Sequence, residues 1–182
     1  MTNASDDVLL TRIARGDAEA LGALYDRYVP LVFPVALRIL RVRAEAEDAL
    51  HDAFVIVHER ASQYTPERGS VPSWLVTLVR NLCIDRARRR QRRGDLIQKQ
   101  ASEATTPAPE PPDVLLADAA ERARVRDALG RLSEEQRSTL LVAFFEGLSY
   151  PEIAEREGIP LGTVKSRAAR AMAALREELQ KK

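Results

Sequence analysis

Residues Leu148 to Leu175, LSYPEIAEREGIPLGTVKSRAARAMAAL, constrain the fold more than any other stretch, because they spell two helices joined by a tight turn. Ser149 and Glu152 have the S-x-x-E spacing of a capping box, in which each side chain satisfies the other residue's orphan backbone N–H. Pro151 falls in the first turn, where its missing N–H costs nothing. Gly158-Ile159-Pro160 then stops the helix. In the segment that follows, Val164, Ala168, Ala171 and Leu175 recur at spacings of four, three and four. At ~100° per residue they stack into one apolar stripe, with Lys165, Ser166, Ala169 and Arg170 on the opposite face. Small residues at 168, 169 and 171 keep this helix slim enough for a DNA major groove, where Lys and Arg bond to guanine edges and Ser serves several bases. The pattern fits a helix-turn-helix, and it also fits an αα-hairpin with a solvated basic face.

Composition bounds the rest. A chain of 182 residues that is 45% hydrophobic allows one large or two small domains with buried cores. Its 28 basic and 27 acidic residues nearly cancel, so any nucleic-acid contact has to come from local patches rather than from the whole surface. The single cysteine, Cys83, excludes an internal disulfide, and His51 and His58 lack cysteine company at a zinc-binding spacing. The start of the chain, MTNASDDVLL, is acidic where a signal peptide is basic, and the sequence reads as having no apolar run near the ~20 residues of a membrane span. A cytoplasmic protein without membrane insertion is expected.

Between Gly94 and Asp113 the composition breaks: Pro107, Pro109, Pro111 and Pro112 gather with Ala, Thr, Ser and Glu, without an apolar period. This segment reads as an extended linker between two bodies.

The first body reads as helical throughout. Asp6 to Arg15 ends at Gly16, Asp17 caps a long segment whose Pro30 and Pro34 predict a bend or break, and Ala44 to Ala61 forms a third helix. That third helix has a core stripe of Ala46, Leu50, Phe54 and Val57 and an acidic flank of Glu47, Asp48, His51 and Asp52. After the loop Gln63 to Val71, Pro72 opens a fourth helix, apolar around Trp74, Leu75, Leu78, Leu82 and Cys83, with Trp74 and Cys83 read as packing residues. Its end carries Arg86, Arg88, Arg89, Arg90, Arg92 and Arg93. Cations complement the negative end of the helix macrodipole, but six within eight residues repel one another, which favours phosphate contact over a merely solvated face.

The EDALHDAF helix, the aromatic loop, RNLCIDRARR, the proline-rich linker, LSEEQRSTLLVAFFEGLSYPEIAE and GIPLGTVKSRAARA follow one another in this order. The series resembles the extracytoplasmic-function (ECF) sigma factors of bacterial RNA polymerase, over roughly Asp6 to Glu178. The resemblance implies an all-α protein of two small helical domains: residues 1–93 as sigma domain two, 94–113 as a flexible linker, and 114–182 as sigma domain four with its helix-turn-helix. It implies that Asp48, His51, Asp52 and Phe54 dock on core polymerase. Tyr64, Trp74, Asn81 and Asp85 match the region that captures unpaired bases of the minus-ten element, with Arg86, Arg88 and Arg89 on neighbouring phosphates. Thr163, Lys165, Ser166, Arg167 and Arg170 match positions that meet the minus-thirty-five element. Core polymerase, promoter DNA and an anti-sigma factor are the implied partners; no cofactor, metal or catalytic residue is implied.

The chain departs from the family pattern at four positions. His51 stands where glutamine is common, His58 where tryptophan is, Glu157 where leucine is, and Ala169 replaces larger residues. Two other functions compete: a stand-alone helix-turn-helix regulator that never contacts polymerase, and an enzyme acting on nucleic acid. The enzyme lacks a metal cluster, a phosphate-binding glycine loop and a nucleophile with its base.

Overall fold

The computed structural model describes residues 4–97 and 119–180. Among them the α-helices are α1 (Asp6–Ile13), α2 (Ala18–Leu40), α3 (Arg43–Arg60), α4 (Val71–Ile97), α5 (Ala119–Gly130), α6 (Glu134–Leu141), α7 (Tyr150–Glu157) and α8 (Leu161–Gln180). No strand occurs among the described residues, so the fold is all-α. The chain divides into two compact units, Met1–Gln91 and Arg92–Lys182.

In the first unit Asp17 starts α2 by accepting the backbone N–H groups of Glu19 and Ala20 on Oδ1, at 3.0 and 3.1 Å, and the Arg12 guanidinium on Oδ2, at 2.7 Å. Those bonds, the one from Arg12 foremost, hold its carboxyl below the usual carboxylate range. α2 then runs unbroken through Pro30 and Pro34, where the sequence predicts a bend or break. Proline in a helix interior costs ~3 kcal/mol or more. Burial of nine α2 residues, from Ala20 to Leu40, outweighs it, since each large apolar side chain contributes roughly 1.5–3 kcal/mol. α2 is also, at 23 residues and with an 18-residue stretch of mean hydropathy 1.2, long and apolar enough to cross a membrane, against the expectation that no apolar run approaches that length. Its apolar stripe packs on α1 and α3.

α3 buries Ala46, Ala49, Leu50, Ala53, Phe54 and Val57, the expected stripe and its neighbours. In α4 the buried row is Val71, Leu75, Val79 and Cys83, spaced by four, together with Ile84. Trp74, Leu78 and Leu82 flank that row and are only half-buried. Burial pushes the Cys83 thiol up to about 12, in keeping with a packing residue. α4 continues through Gly94 to Ile97, so the linker expected from residue 94 begins as helix, and its remainder, residues 98–113, lies outside the described residues.

The second unit opens α6 with a capping box: the Ser133 Oγ accepts the Gln136 N–H, and the Gln136 side chain accepts the Ser133 N–H. α6 passes into a π-helical turn, Val142–Glu146, and ends at left-handed Gly147. Buried Thr139 satisfies its hydroxyl by donating to the Glu135 carbonyl at 2.7 Å. Two apolar clusters hold the unit: Leu129, Leu132 and Ala171, and Val142, Ile153 and Val164. α8 contributes to both, so it is the helix on which α5, α6 and α7 are assembled.

Candidate nucleic-acid interface

In the first unit the chain between α3 and α4 makes two 3-10 turns, Ala61–Gln63 and Pro66–Arg68, which bring Tyr64 back over the start of α4. The Tyr64 hydroxyl donates to the Gly69 carbonyl at 2.9 Å, closing the loop on itself. Gly69 has φ +133°, a conformation open to glycine and strained for any L side chain. The Tyr64 ring lies 5.6 Å from that of Trp74, inclined at 47°. Burial, with Asp7, Asp6 and Glu67 nearby, raises the Tyr64 phenol above its ordinary range. Tyr64 and Trp74, with Arg60, Gln63, Thr65 and Thr77, line a recess of about 340 Å³. That is the lower end of the range for small-ligand sites, roughly 300–1,000 Å³.

Asn81 and Asp85 are exposed, and with Trp74 they lie within about 40° of one line down α4 at ~100° per residue. The Asn81 amide oxygen accepts from Arg80 at 2.9 Å, which leaves its amide N–H groups as donors.

The arginine cluster is not a uniform phosphate comb. Arg86 pairs with the Asp52 carboxylate and donates to the carbonyls of Glu45 and Asp48, each at 3.4 Å. Arg90 pairs with Glu45 at 2.9 Å and donates to the Leu40 carbonyl at 3.3 Å. Both therefore tie α4 to α3, so in the free protein Arg86, expected on a phosphate, is engaged by Asp52. Arg88 is half-buried, and its charge adds to burial in lowering the Arg80 guanidinium pKa. Arg89 is exposed.

The α3 docking candidates divide in the same way. Asp48 and His51 are exposed, and Asp52 is exposed while paired to Arg86. Phe54 is 4% exposed and packs edge-on against Tyr25, with ring centroids 4.8 Å apart, so it is a core residue and not a docking contact. Val55, one position on, is 46% exposed beside the acidic residues. A 100° step along the helix separates the two; the core stripe read from the sequence holds Phe54, and the docking role that the family resemblance implied for it does not fit that burial.

In the second unit Ser149 and Glu152 form the expected capping box, with Glu152 accepting the Ser149 N–H at 2.6 Å. Gly158, left-handed at φ +65°, ends α7, and Ile159 and Pro160 lead into α8. Val164, Ala168 and Ala171 are buried and Leu175 half-buried. Lys165, Ala169 and Arg170 are exposed; Thr163 is half-buried, and Ser166 is half-buried with its hydroxyl donating to the Thr163 carbonyl at 2.9 Å. Arg167, expected to meet DNA, donates from Nη1 to Glu157 Oε2 at 3.1 Å in the free protein. No group of three or more His, Cys, Asp or Glu placed to hold a metal occurs among the described residues.

Two family profiles match the chain: Sigma-70 region 2 over residues 24–93 and Sigma-70, region 4 over residues 122–175. The ECF RNA polymerase sigma factor SigK of Mycobacterium sp. (strain KMS) is 35% identical over 163 residues, covering 88% of this chain and 83% of that protein. The protein of the same name from Mycolicibacterium vanbaalenii is 34% identical over 179 residues, covering 97% and 90%. Among solved structures, Rhodobacter sphaeroides SigE in complex with the anti-sigma ChrR is 31% identical, with a TM-score of 0.45, covering 95% of this chain and 99% of that one.

Proposed function

The chain belongs to the ECF sigma factors of bacterial RNA polymerase, and from that membership we propose how its residues divide the work of starting transcription. It is an alternative sigma factor for promoter recognition and initiation, and sigma factors as a class are DNA-recognition proteins rather than enzymes. Residues 1–93 form the domain that docks on core polymerase and recognises the minus-ten element, and residues 114–182 the domain that recognises the minus-thirty-five element. The linker between them threads the polymerase.

Asp48, His51 and Val55 meet core polymerase. The α8 face carrying Lys165, Ser166, Ala169 and Arg170 enters the major groove of duplex DNA. The recess under Tyr64 and Trp74 takes a base flipped from the downstream non-template strand, and Asn81 and Asp85 meet its neighbours. Burying that base against aromatic rings is worth ~1–3 kcal/mol, which offsets the unstacking cost of a few kcal/mol only in part. The exposed Arg89 supplies a phosphate contact. The reaction needs no covalent chemistry from this chain. An anti-sigma factor is the partner expected to hold it inactive, and the cytoplasm is where it acts.

The observation that carries this division is the aromatic-walled recess, aligned with Asn81 on one helix, in a chain whose other unit presents a slim basic helix. Run-off transcription with purified core polymerase tests it. Transcripts are expected only when core, this protein and a cognate promoter are all present. Promoter binding that is the same with and without core, with no transcript, identifies a stand-alone DNA-binding regulator instead.

A further inference from the structure

The exposed half of α8 carries Lys165, Arg167 and Arg170, and the structure treats them unequally. Lys165 and Arg170 are exposed and make no ion pair among the described residues. Arg167 and its partner Glu157 are each about three-quarters covered, with side-chain exposures of 25% and 26%. At ~100° per residue Arg167 stands at the edge of the buried stripe, about 60° from Val164. Ser166, Ala169 and Arg170 face away from that stripe. Glu157 is the last residue of α7, immediately before left-handed Gly158. The turn backbone there is fixed by two bonds, from the Gly158 N–H to the Glu155 carbonyl at 3.3 Å and from the Ile159 N–H to the Ala154 carbonyl at 3.1 Å. The carboxylate therefore projects from a rigid corner. A second acid stands close by on α6: its own backbone N–H, the Ser133 hydroxyl and the charge of Arg167 together hold the Glu135 carboxyl below its ordinary range.

We propose that Glu157 determines the promoter preference of the recognition helix by restraining Arg167 against the turn, so that Arg167 buttresses α8 and only Lys165 and Arg170 read bases. This rests on the reading of α8 as the helix that enters duplex DNA. An acid at the rim of a DNA-binding surface repels phosphate, and left unpaired it would weaken binding everywhere. Paired with Arg167 it does two things: it cancels a cation that would otherwise hold any DNA, and it keeps a flexible guanidinium away from the base edges. Reading then falls to two residues on opposite sides of a strip of small ones, Gly162, Ser166, Ala169 and Ala173. Glu157 is a positioning residue in this scheme, and it trades general affinity for discrimination.

The test is holoenzyme binding to a promoter and its single-base minus-thirty-five variants across a salt series. Glu157→Gln keeps the shape and removes the charge. It should tighten binding to all promoters severalfold, steepen the salt dependence by about one phosphate contact, and narrow the gap between the best promoter and its variants. Glu157→Leu should act in the same direction. Arg167→Ala alone should leave base preference unchanged, and combined with Glu157→Gln it should restore the parental salt dependence. Parental salt dependence and preference in Glu157→Gln would overturn the proposal, as would loss of preference at one base pair in Arg167→Ala. A parental holoenzyme indifferent to every minus-thirty-five change defeats the reading of α8 itself. A discriminating parent with an unaltered Glu157→Gln variant defeats only the restraint.

Discussion

The two surfaces we assign to DNA are built on opposite plans from similar residues. On α4 the surface is concave: a glycine-closed loop folds Tyr64 towards Trp74 and leaves a recess with room for one small group. On α8 it is convex and nearly smooth, with Gly162, Ser166, Ala169 and Ala173 along its outward line. A recess serves single bases that have left the stack, whereas a slim convex helix serves an intact groove. Each surface also turns part of its positive charge inward onto an acid of another helix, Arg86 onto Asp52 and Arg90 onto Glu45 in one unit, Arg167 onto Glu157 in the other. On that assignment the arginines near DNA are of two kinds, those paired within the scaffold and those left to hold the nucleic acid.

The largest effect is expected in the first unit, on the α3 face we assign to polymerase docking. Asp48→Arg reverses the charge of an exposed α3 residue whose side chain makes no ion pair among the described residues. Like-charge juxtaposition across an interface costs several kcal/mol, so co-purification with core polymerase should fall by at least ~100-fold while helical circular dichroism stays at the parental level. Core binding as tight as the parent's would move the docking surface off α3, and the contrast between the units would reduce to their DNA surfaces.

A smaller effect, confined to one base pair, is expected in the second unit. Arg170 is exposed on the outward side of α8, and a bidentate arginine–guanine contact is worth ~1–3 kcal/mol. Arg170→Ala should therefore weaken binding to the preferred promoter by ~5–150-fold and relax preference at that pair alone, in a panel of single-base variants. If it weakens every promoter equally, Arg170 is a holding residue, and α8 reads through Lys165 or through DNA shape.

Local rules made much of this legible in the sequence. The capping box of Ser149 and Glu152, the Asp17 cap, the stop at Gly158 and the α8 stripe are short-range patterns, and each appears as read. The S-x-x-Q box at Ser133 is a short-range pattern of the same kind. What failed needed knowledge of neighbours. Pro30 and Pro34 signal a break only if nothing else pays for the helix, and whether α1 and α3 bury enough of α2 is a tertiary fact. The helical period already put Phe54 in the core, and it was the docking role carried over from the family that its packing on Tyr25 does not fit. The arginine run gave the right local charge but could not say that Asp52 and Glu45, 34 and 45 residues earlier in the chain, each claim one member.

The smallest expected effect separates the two kinds of arginine on α4 itself. Arg89 is exposed and Arg86 is engaged by Asp52, yet in sequence they are three positions apart on one basic run. If Arg89 holds a phosphate of the unpaired strand, Arg89→Ala should weaken open complexes on all promoters alike. It should also lower the slope of log affinity against log salt by ~0.7, the single-strand value for one contact. Arg86→Ala should leave that slope closer to the parent's, because its charge is already compensated within the domain, and should show its effect in a lower unfolding midpoint through the loosened join of α3 to α4. The salt series and a denaturant titration together decide the matter, since equal slopes for the two variants would mean that Asp52 releases Arg86 when DNA arrives. In that case the division between scaffold and contact arginines holds for the free protein and not for the complex.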